Sequence, residues 1–230
     1  MACVCAMPME LAPLTRRLSP RRAGVDGHEV VTEVVTEVVG IGTDLARRNT
    51  ERLLDRMHVD AVVMFGIAGA VVATTPIGSV IVPEVVVDAA TETEFRPSPL
   101  AGLPAAGTLW TTDALLKDGA TLASLRRRGV VALDMETAAV ADVCDRRGVP
   151  WSVVRAVSDR ATDEAIDDEL LHLVHLDGTP DVRNIVRYVV RHPVRVRHLV
   201  RLGRSSRLAC ERAAAAALQA CEGAARAPGD

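Results

Sequence analysis

Short hydrophobic runs rich in β-branched residues alternate along the chain with longer segments whose hydrophobic residues have helical spacing. Largely apolar runs are typical of strands buried on both faces, and they occupy Asp60–Phe65, Ser79–Val87 and Val149–Val157. Ala2–Ala6 forms a further short strand segment, and Val30–Val39 is predicted to form one or two strands joined by a tight turn. Strand-forming segments are thus spread over most of the chain.

Helical spacing predicts helices between these strands, over Glu10–Leu18, Asp44–Met57, Ala114–Arg128 and Met135–Arg147. Gly129 and Gly148 follow the last two helices, where helix C-caps are expected. The segment Glu92–Gly107 is rich in Pro, Gly and Thr and is predicted to be a loop. Strands that alternate with helices predict an α/β fold, a single domain whose central mixed, largely parallel twisted sheet is flanked by helices.

The composition changes near residue 180, so we expect a main domain over residues 1–180 and a basic, helical C-terminal extension over residues 181–230. Its first helix has valines on one face and three arginines on another, namely Arg183, Arg187 and Arg191. Pro193 interrupts this helix, and a second basic stretch leads into an Ala-rich helix. Two interpretations stay open. The extension packs on the domain with a solvated basic face, or it is an interfacial helix that meets anionic lipid.

The composition of the chain argues against several classes of function. The 27 basic and 30 acidic side chains give a formal charge of −3, which argues against a nucleic-acid binder with a general basic surface. No apolar run approaches the roughly 18 residues of a membrane-spanning helix, and the N-terminus lacks the pattern of a signal peptide. The five cysteines have no zinc-like spacing. They predict reduced thiols in a cytoplasmic protein without a metal site or a cofactor, with peripheral membrane contact of the tail as the alternative.

Glu10 directly follows the first predicted strand. Open α/β sheets bind ligands at the carboxyl ends of their strands, and a glutamate there can activate a water molecule as a general base. The alternative is a glutamate in the first turn of a helix, where it interacts favourably with the helix dipole.

The segment Asp134-Met135-Glu136 ends another predicted strand. Glu136 can accept hydrogen bonds from the two vicinal hydroxyls of a ribose, and Met135 offers a polarisable face to a sugar or base. The alternative is structural, with Asp134 as a helix N-cap and Glu136 in the first turn.

A third strand delivers Arg155, Ser158 and Asp159. Asp159 can act as a general acid if its surroundings raise its pKa. Arg155 lies in an apolar strand, and we expect it to pair with Glu10 or Glu136, because an unpaired buried charge is costly. Together the three segments provide an acid, a base and a hydroxyl-binding carboxylate, a set suited to cleaving a ribosyl bond.

In this order the segments resemble the nucleoside phosphorylase/nucleosidase superfamily, and most closely its 5′-methylthioadenosine/S-adenosylhomocysteine nucleosidase branch. The resemblance covers about residues 2–162. Its pieces are Ala6-Met7-Pro8-Met9-Glu10, Val39-Gly40-Ile41-Gly42, Phe65-Gly66-Ile67-Ala68-Gly69, Gly78–Val82, Asp134-Met135-Glu136 and Arg155–Asp159. It implies an enzyme that releases adenine from an adenine nucleoside with an apolar 5′ substituent.

The resemblance also implies roles for single residues. Glu10 would activate the attacking water, and Asp159 would protonate the purine at its imidazole nitrogen. Glu136 would bind the ribose hydroxyls and Met135 would line the sugar. The other implied binding residues are Arg155, Ser158, Phe65, Gly66, Ile67, Leu115 and Leu116.

Members of this superfamily are usually homodimers or larger homo-oligomers in which a neighbour's loop closes the 5′ end of the site. Phe95 is the candidate for that loop here. In the Gly66-Ile67-Ala68-Gly69 turn, Ile67 replaces the family's serine, and Leu115 and Leu116 take the place of a pair that includes an aromatic ring.

No arginine stands directly before Gly66, where Met64 and Phe65 lie instead, and no glycine-rich phosphate turn lies near Pro8. A phosphate dianion is bound by arginines that each donate two hydrogen bonds, so the lack of an arginine at this position favours water over phosphate as the nucleophile. The basic tail resembles the hopanoid-associated branch of the superfamily, which implies a second hypothesis, a phosphorolytic enzyme acting for example on adenosylhopane. A third hypothesis is a catalytically silent nucleoside-binding or membrane-associated protein.

Overall fold

The computed structural model describes residues 1–18, 34–160, 173, 175, 177–179, 181–192 and 195–226. The strands are β1 (Ala2–Cys5), β2 (Val35–Val38), β3 (Val62–Ala70), β4 (Val80–Ile81), β5 (Val85–Asp88), β6 (Glu94–Phe95), β7 (Thr108–Thr111), β8 (Val130–Asp134) and β9 (Trp151–Arg160). The helices are α1 (Pro8–Leu18), α2 (Thr43–Arg56), α3 (Gly119–Arg127), α4 (Thr137–Arg147), α5 (Val182–Arg191) and α6 (Val196–Arg226).

The described strands form one nine-stranded sheet with the order β2-β1-β3-β8-β7-β5-β6, and β9 pairs with both β3 and β4. The pairs β1–β2, β1–β3, β3–β9, β5–β7 and β7–β8 are parallel. The pairs β3–β8, β4–β9 and β5–β6 are antiparallel. The predicted α/β fold with a mixed, largely parallel sheet is confirmed.

Helices cover both faces of the sheet because the side chains of a strand alternate between its two faces. Val4 and Met64 face the side on which α2 and α4 pack, and they share a core with Leu53. Cys3 and Phe65 face the other side, where they pack with α1 and α6. The sheet is therefore the middle of three layers.

Two predicted elements between residues 79 and 107 differ from the structure. The run Ser79–Val87 is not one strand but β4 and β5, which are separated at Pro83, a residue that cannot donate a hydrogen bond to a ladder. The predicted loop Glu92–Gly107 contains the short strand β6. Of the segment Val30–Val39, β2 covers the later part, and residues 30–33 lie outside the described residues.

The predicted helix Ala114–Arg128 begins five residues later, at Gly119. Asp118 is its N-cap, because the carboxylate of Asp118 accepts a hydrogen bond from the Thr121 backbone N–H at 2.7 Å. Leu115 and Leu116 therefore lie in the loop before α3 rather than on a helix.

The second half of α6 belongs to the packing of the body. Its alanines and cysteines are buried at Ala209, Cys210, Ala213, Ala214, Ala217, Ala220 and Cys221. Five of them share a core with residues of β1, β3 and β9, namely Ala209, Ala213, Ala214, Ala217 and Cys221. The Sγ atoms of Cys3 and Cys221 lie 3.3 Å apart at this contact. The packed-helix interpretation of the tail thus holds for this half, whereas Pro193 lies outside the described residues and the boundary at residue 180 stays a prediction.

Of the described helices, none combines the length and the apolar character that crossing a bilayer requires.

Candidate active site

A cavity of about 320 Å³ lies where the carboxyl ends of β1, β8 and β9 meet the last residues of β3. The three segments singled out in the sequence all contribute to its wall. The lining residues that these segments contribute are Met7, Glu10, Asp134, Met135, Glu136, Ser158 and Asp159. The convergence follows from the sheet order, because β3 pairs with β1, β8 and β9.

Glu10 is held in one orientation by the backbone. Its Oε2 accepts a hydrogen bond from the Met7 N–H at 2.9 Å, and its Oε1 accepts one from the Ile67 N–H at 2.8 Å. The side chain is 1 % exposed, and this burial raises the pKa of Glu10 above its ordinary value, although Arg155 and the backbone hydrogen bonds partly oppose the shift. Glu10 lies in the first turn of α1 and also on the cavity wall, so both sequence interpretations of its position apply.

Arg155 is fully buried behind the cavity and forms ion pairs with two carboxylates. Its Nη2 donates to Asp134 and approaches Glu136 Oε2 at 3.3 Å. Nη2 also donates to the Thr137 hydroxyl at 2.8 Å. The expected pairing with Glu136 is present, and Asp134 is a partner that the sequence did not indicate. Arg155 positions these carboxylates and does not line the cavity.

Asp134 connects the end of β8 to the start of α4. It accepts hydrogen bonds from the Thr111 hydroxyl at 2.6 Å, from the Thr137 hydroxyl, and from the Thr137 backbone N–H at 3.2 Å. The last bond satisfies a free N–H at the start of α4, although the N-cap position itself is Glu136 and not Asp134 as the structural interpretation expected. Asp134 therefore fixes the turn that carries Met135 and Glu136.

Glu136 faces the cavity with little solvent contact. Its Oε1 accepts a hydrogen bond from the Gly42 N–H at 3.3 Å. Burial raises the pKa of Glu136, the nearby Asp134 and Glu10 raise it further, and Arg155 opposes the shift. Three carboxyl groups thus lie near one buried guanidinium, and Asp134, Glu136 and Glu10 raise the pKa of Arg155 against the opposing effect of its burial.

Asp159 lies on the cavity wall near the end of β9, beside Gly69 of β3. The Ser158 hydroxyl donates to Asp159 Oδ1. A Cβ atom at Gly69 would lie 3.1 Å from Asp159 Oδ2, so the carboxylate packs directly against the β3 backbone. Ser158 and Gly69 therefore set the direction of this carboxylate.

Aliphatic side chains form much of the remaining wall. Leu115, Leu116 and Ile67 line the cavity, as the resemblance implied. Gly66 is not on the wall but lies behind Glu10 and Arg155.

The two phenylalanines assigned to substrate binding are not brought to the cavity. Phe65 is fully buried two residues before Ile67 on β3 and packs in the α1 and α6 layer instead of the cavity wall. Phe95 is 8 % exposed and packs in this chain's own core with Val86 and Leu109, because β6 pairs with β5. The expectation that Phe95 closes a neighbour's site is corrected, since the ring is turned inward.

Several wall residues were not expected from the sequence. Leu202 and Ser206 are one helical turn apart on α6 and both line the cavity. Lys117 and Arg160 also contribute to the wall, and Arg160 Nε donates to the Thr75 carbonyl at 3.1 Å. Helical spacing places Leu202 and Ser206 on one face, but only the tertiary packing of α6 shows what that face contacts.

Comparison with known proteins agrees with this geometry. The model of the Phosphorylase superfamily matches residues 1–105 and 103–191. The 5′-methylthioadenosine/S-adenosylhomocysteine nucleosidase of Bacillus velezensis is 28 % identical over 82 % of this chain and 99 % of that protein. The nucleosidase of the same name from Bacillus subtilis is 30 % identical over 69 % of this chain and 82 % of that protein.

Solved structures show the same fold. Futalosine hydrolase of Helicobacter pylori superimposes with a TM-score of 0.70 at 16 % identity and covers 96 % of both chains. The 5′-methylthioadenosine/S-adenosylhomocysteine nucleosidase of S. pneumoniae, solved with a transition-state inhibitor, gives a TM-score of 0.69 at 21 % identity. That comparison covers 97 % of this chain and 98 % of the other.

Proposed function

The chain belongs to the phosphorylase superfamily and is an enzyme of purine nucleosides, and from that premise we propose that it hydrolyses the N-glycosidic bond of an adenine nucleoside with an apolar 5′ substituent and releases adenine. One observation carries the proposal. Two carboxylates line the same cavity from different elements, Glu10 from the first turn of α1 and Asp159 from β9, and the buried Glu136 lines it with them.

In the proposed reaction Glu10 takes a proton from a water molecule, whose oxygen bonds to the anomeric carbon as the bond to adenine breaks. Asp159 gives a proton to a ring nitrogen of the leaving adenine, so that the base departs neutral. Glu136 accepts hydrogen bonds from the ribose hydroxyls and stabilises the positive charge that develops on the sugar. The products are adenine and the free 5′-substituted ribose, and Glu10 returns its proton to solvent while Asp159 regains one.

The aliphatic wall supports the assignment of the substrate class. We assign Leu115, Leu116 and Ile67 to the purine and the sugar. Met9 and Leu202, which line the cavity, are assigned to an apolar 5′ substituent. A cavity walled by such side chains favours an apolar substituent because its burial removes hydrocarbon surface from water.

Charge near Glu10 supports water as the nucleophile. A phosphate dianion there would meet the carboxyl groups of Glu10 and Glu136. The guanidinium beside them, Arg155, is already paired with Asp134 and Glu136 behind the wall. The cations on the described cavity wall are Lys117 and Arg160, so a phosphorolytic reaction would have to bind its phosphate through one of these two side chains.

The test of the nucleophile measures adenine release from methylthioadenosine, S-adenosylhomocysteine and adenosylhopane, with and without phosphate. We expect turnover of at least one of them at the same rate in both conditions. Strict dependence on phosphate, or ribose 1-phosphate as the product, would decide for phosphorolysis. Binding without any turnover would decide for a catalytically silent protein.

The role of Asp159 has its own test. Asp159→Asn should lower kcat/KM for adenine release by about 10²- to 10⁴-fold, because a general acid typically contributes that much. Asp44→Asn, at an exposed position on α2, is the matched control and should retain full activity. An unchanged rate for Asp159→Asn would show that another group protonates the base.

We also propose that the protein works in the cytoplasm as a homodimer or larger homo-oligomer. All five cysteines are free and buried, which supports a reducing compartment. The oligomer is expected from the superfamily resemblance. Sedimentation equilibrium of the full chain would test it, and a monomer at every concentration would contradict it.

A further inference from the structure

One surface of α5 combines exposed valines with exposed arginines. Val182, Val186 and Val190 are 68 %, 57 % and 75 % exposed, and their spacing of four residues places them in one row along the helix. The inner side of the helix holds Tyr188, which is 6 % exposed and stacks with His192. We define the α5 surface as the valine row together with the adjacent arginine row Arg183, Arg187 and Arg191.

The charge around this surface is strongly positive. Residues 181–208 contain eight arginines and a single acidic residue, Asp181, on a chain whose formal charge is −3. All eight arginines are exposed. Asp181 is the N-cap of α5, where its carboxylate accepts a hydrogen bond from the Asn184 N–H at 3.0 Å. The basic charge is therefore concentrated on α5 and the first half of α6.

An anionic bilayer surface matches both properties of this face. Valines can enter the boundary between headgroups and acyl chains, and arginines beside them can bind lipid phosphates in a bidentate way. A nucleic acid would use the arginines but would leave the valine row in water. A second copy of the chain could cover the valines, but its own arginines would then approach those of the first copy.

We propose that the α5 surface docks the protein on a bilayer that contains anionic lipids, with α5 lying in the plane of the interface. This surface is separate from the cavity, whose residues on the C-terminal helices are Leu202 and Ser206 of α6. The docking proposal therefore stands independently of the proposed reaction.

The experiment is co-sedimentation of the full chain with vesicles of phosphatidylcholine, alone or mixed with phosphatidylglycerol. We expect the chain to pellet with the anionic vesicles and not with the neutral ones, and added salt should release it. The triple variant Val182→Ser, Val186→Ser, Val190→Ser should reduce the affinity about tenfold or more. The triple variant Arg183→Gln, Arg187→Gln, Arg191→Gln should do the same.

The matched control removes three exposed arginines elsewhere, with Arg48→Gln, Arg126→Gln and Arg127→Gln, and should bind like the wild type. Adenine release and melting temperature, measured on every variant, show that the fold is intact. The proposal is overturned if the wild type does not prefer anionic vesicles, or if the control loses as much affinity as the α5 arginine variant. It is also overturned if the serine variant changes only the oligomeric state, because the valine row would then be an interface between copies.

Discussion

At Gly66 the lack of a side chain allows two buried charged groups to approach the backbone of β3. A Cβ atom at this position would lie 2.4 Å from Glu10 Oε1 and 2.6 Å from Arg155 Nη1. The backbone φ of +152° is also one that other residues rarely adopt. Gly66 thus leaves free the space that the Glu10 carboxylate occupies. The motif around Gly66 had suggested instead that this residue contacts the substrate directly.

Gly66→Ala should lower kcat/KM for adenine release by about 10²-fold, because displacing the catalytic base by about 1 Å has an effect of that size. The measurement is steady-state adenine release, together with the melting temperature to show that the variant is folded. Gly203→Ala is the control, since its added Cβ meets no described atom within 4 Å apart from its chain neighbours and its own helix backbone, and it should stabilise α6 by up to about 1 kcal/mol. Wild-type turnover of Gly66→Ala would contradict the role assigned to the glycine.

At the scale of elements, sequence patterns predicted what depends on local periodicity and missed what depends on packing. The site carboxylates follow strands, so the sheet order brings together Glu10, Glu136 and Asp159 at one edge, as expected from the pattern. Leu115 and Leu116 have helical spacing, but the cap at Asp118 starts α3 after them. Nothing in the spacing of residues shows which layer of the fold a helix joins, so the contribution of α6 to the cavity was not predicted.

The alanines of α6 provide a test of this packing at two adjacent residues. Ala214 is fully buried against the sheet and Ala215 is exposed. Ala214→Leu should lower the free energy of unfolding by about 1–3 kcal/mol, because added methylene groups do not fit a filled core. Ala215→Leu should change it by no more than about 0.5 kcal/mol. Equal effects in urea unfolding would mean that α6 does not pack on β1 and β3 in this way.

At the scale of the whole molecule, the buried carboxyl groups make stability depend on pH. Burial raises the pKa of Glu10 above its ordinary value of 4.5, so the folded state binds the Glu10 proton more tightly than the unfolded state does. The contribution of Glu10 to the free energy of unfolding is fully present below about pH 4.5. It is lost as the pH rises through the pKa that Glu10 has in the folded state. The pKa of Glu211 shifts in the opposite direction, because a hydrogen bond from Arg17 lowers the pKa of its carboxyl. Its contribution to stability therefore depends on pH in the opposite way.

The quantity to compare is the difference between the free energy of unfolding of the wild type and that of Glu10→Gln. We expect this difference to fall as the pH rises above 4.5. The corresponding difference from Glu211→Gln, the control at the surface, should rise as the pH increases through the acidic range. Urea unfolding at a series of pH values measures both differences. A wild type that gains stability over Glu10→Gln with rising pH would show that Glu10 is not buried as described.

The contact of α6 with β1 brings together segments that are far apart in the sequence, at Cys3 and Cys221. The ribosome makes β1 and β3 first, so their face that carries Cys3, Cys5 and Phe65 leaves the exit tunnel long before Ala209–Cys221 exist to cover it. This layer can close only after the second half of α6 has been synthesised, by a contact of large sequence separation, which is slow to form. During that interval the nascent chain exposes an apolar sheet face. We expect chaperones that recognise apolar surfaces to bind this face before α6 covers it.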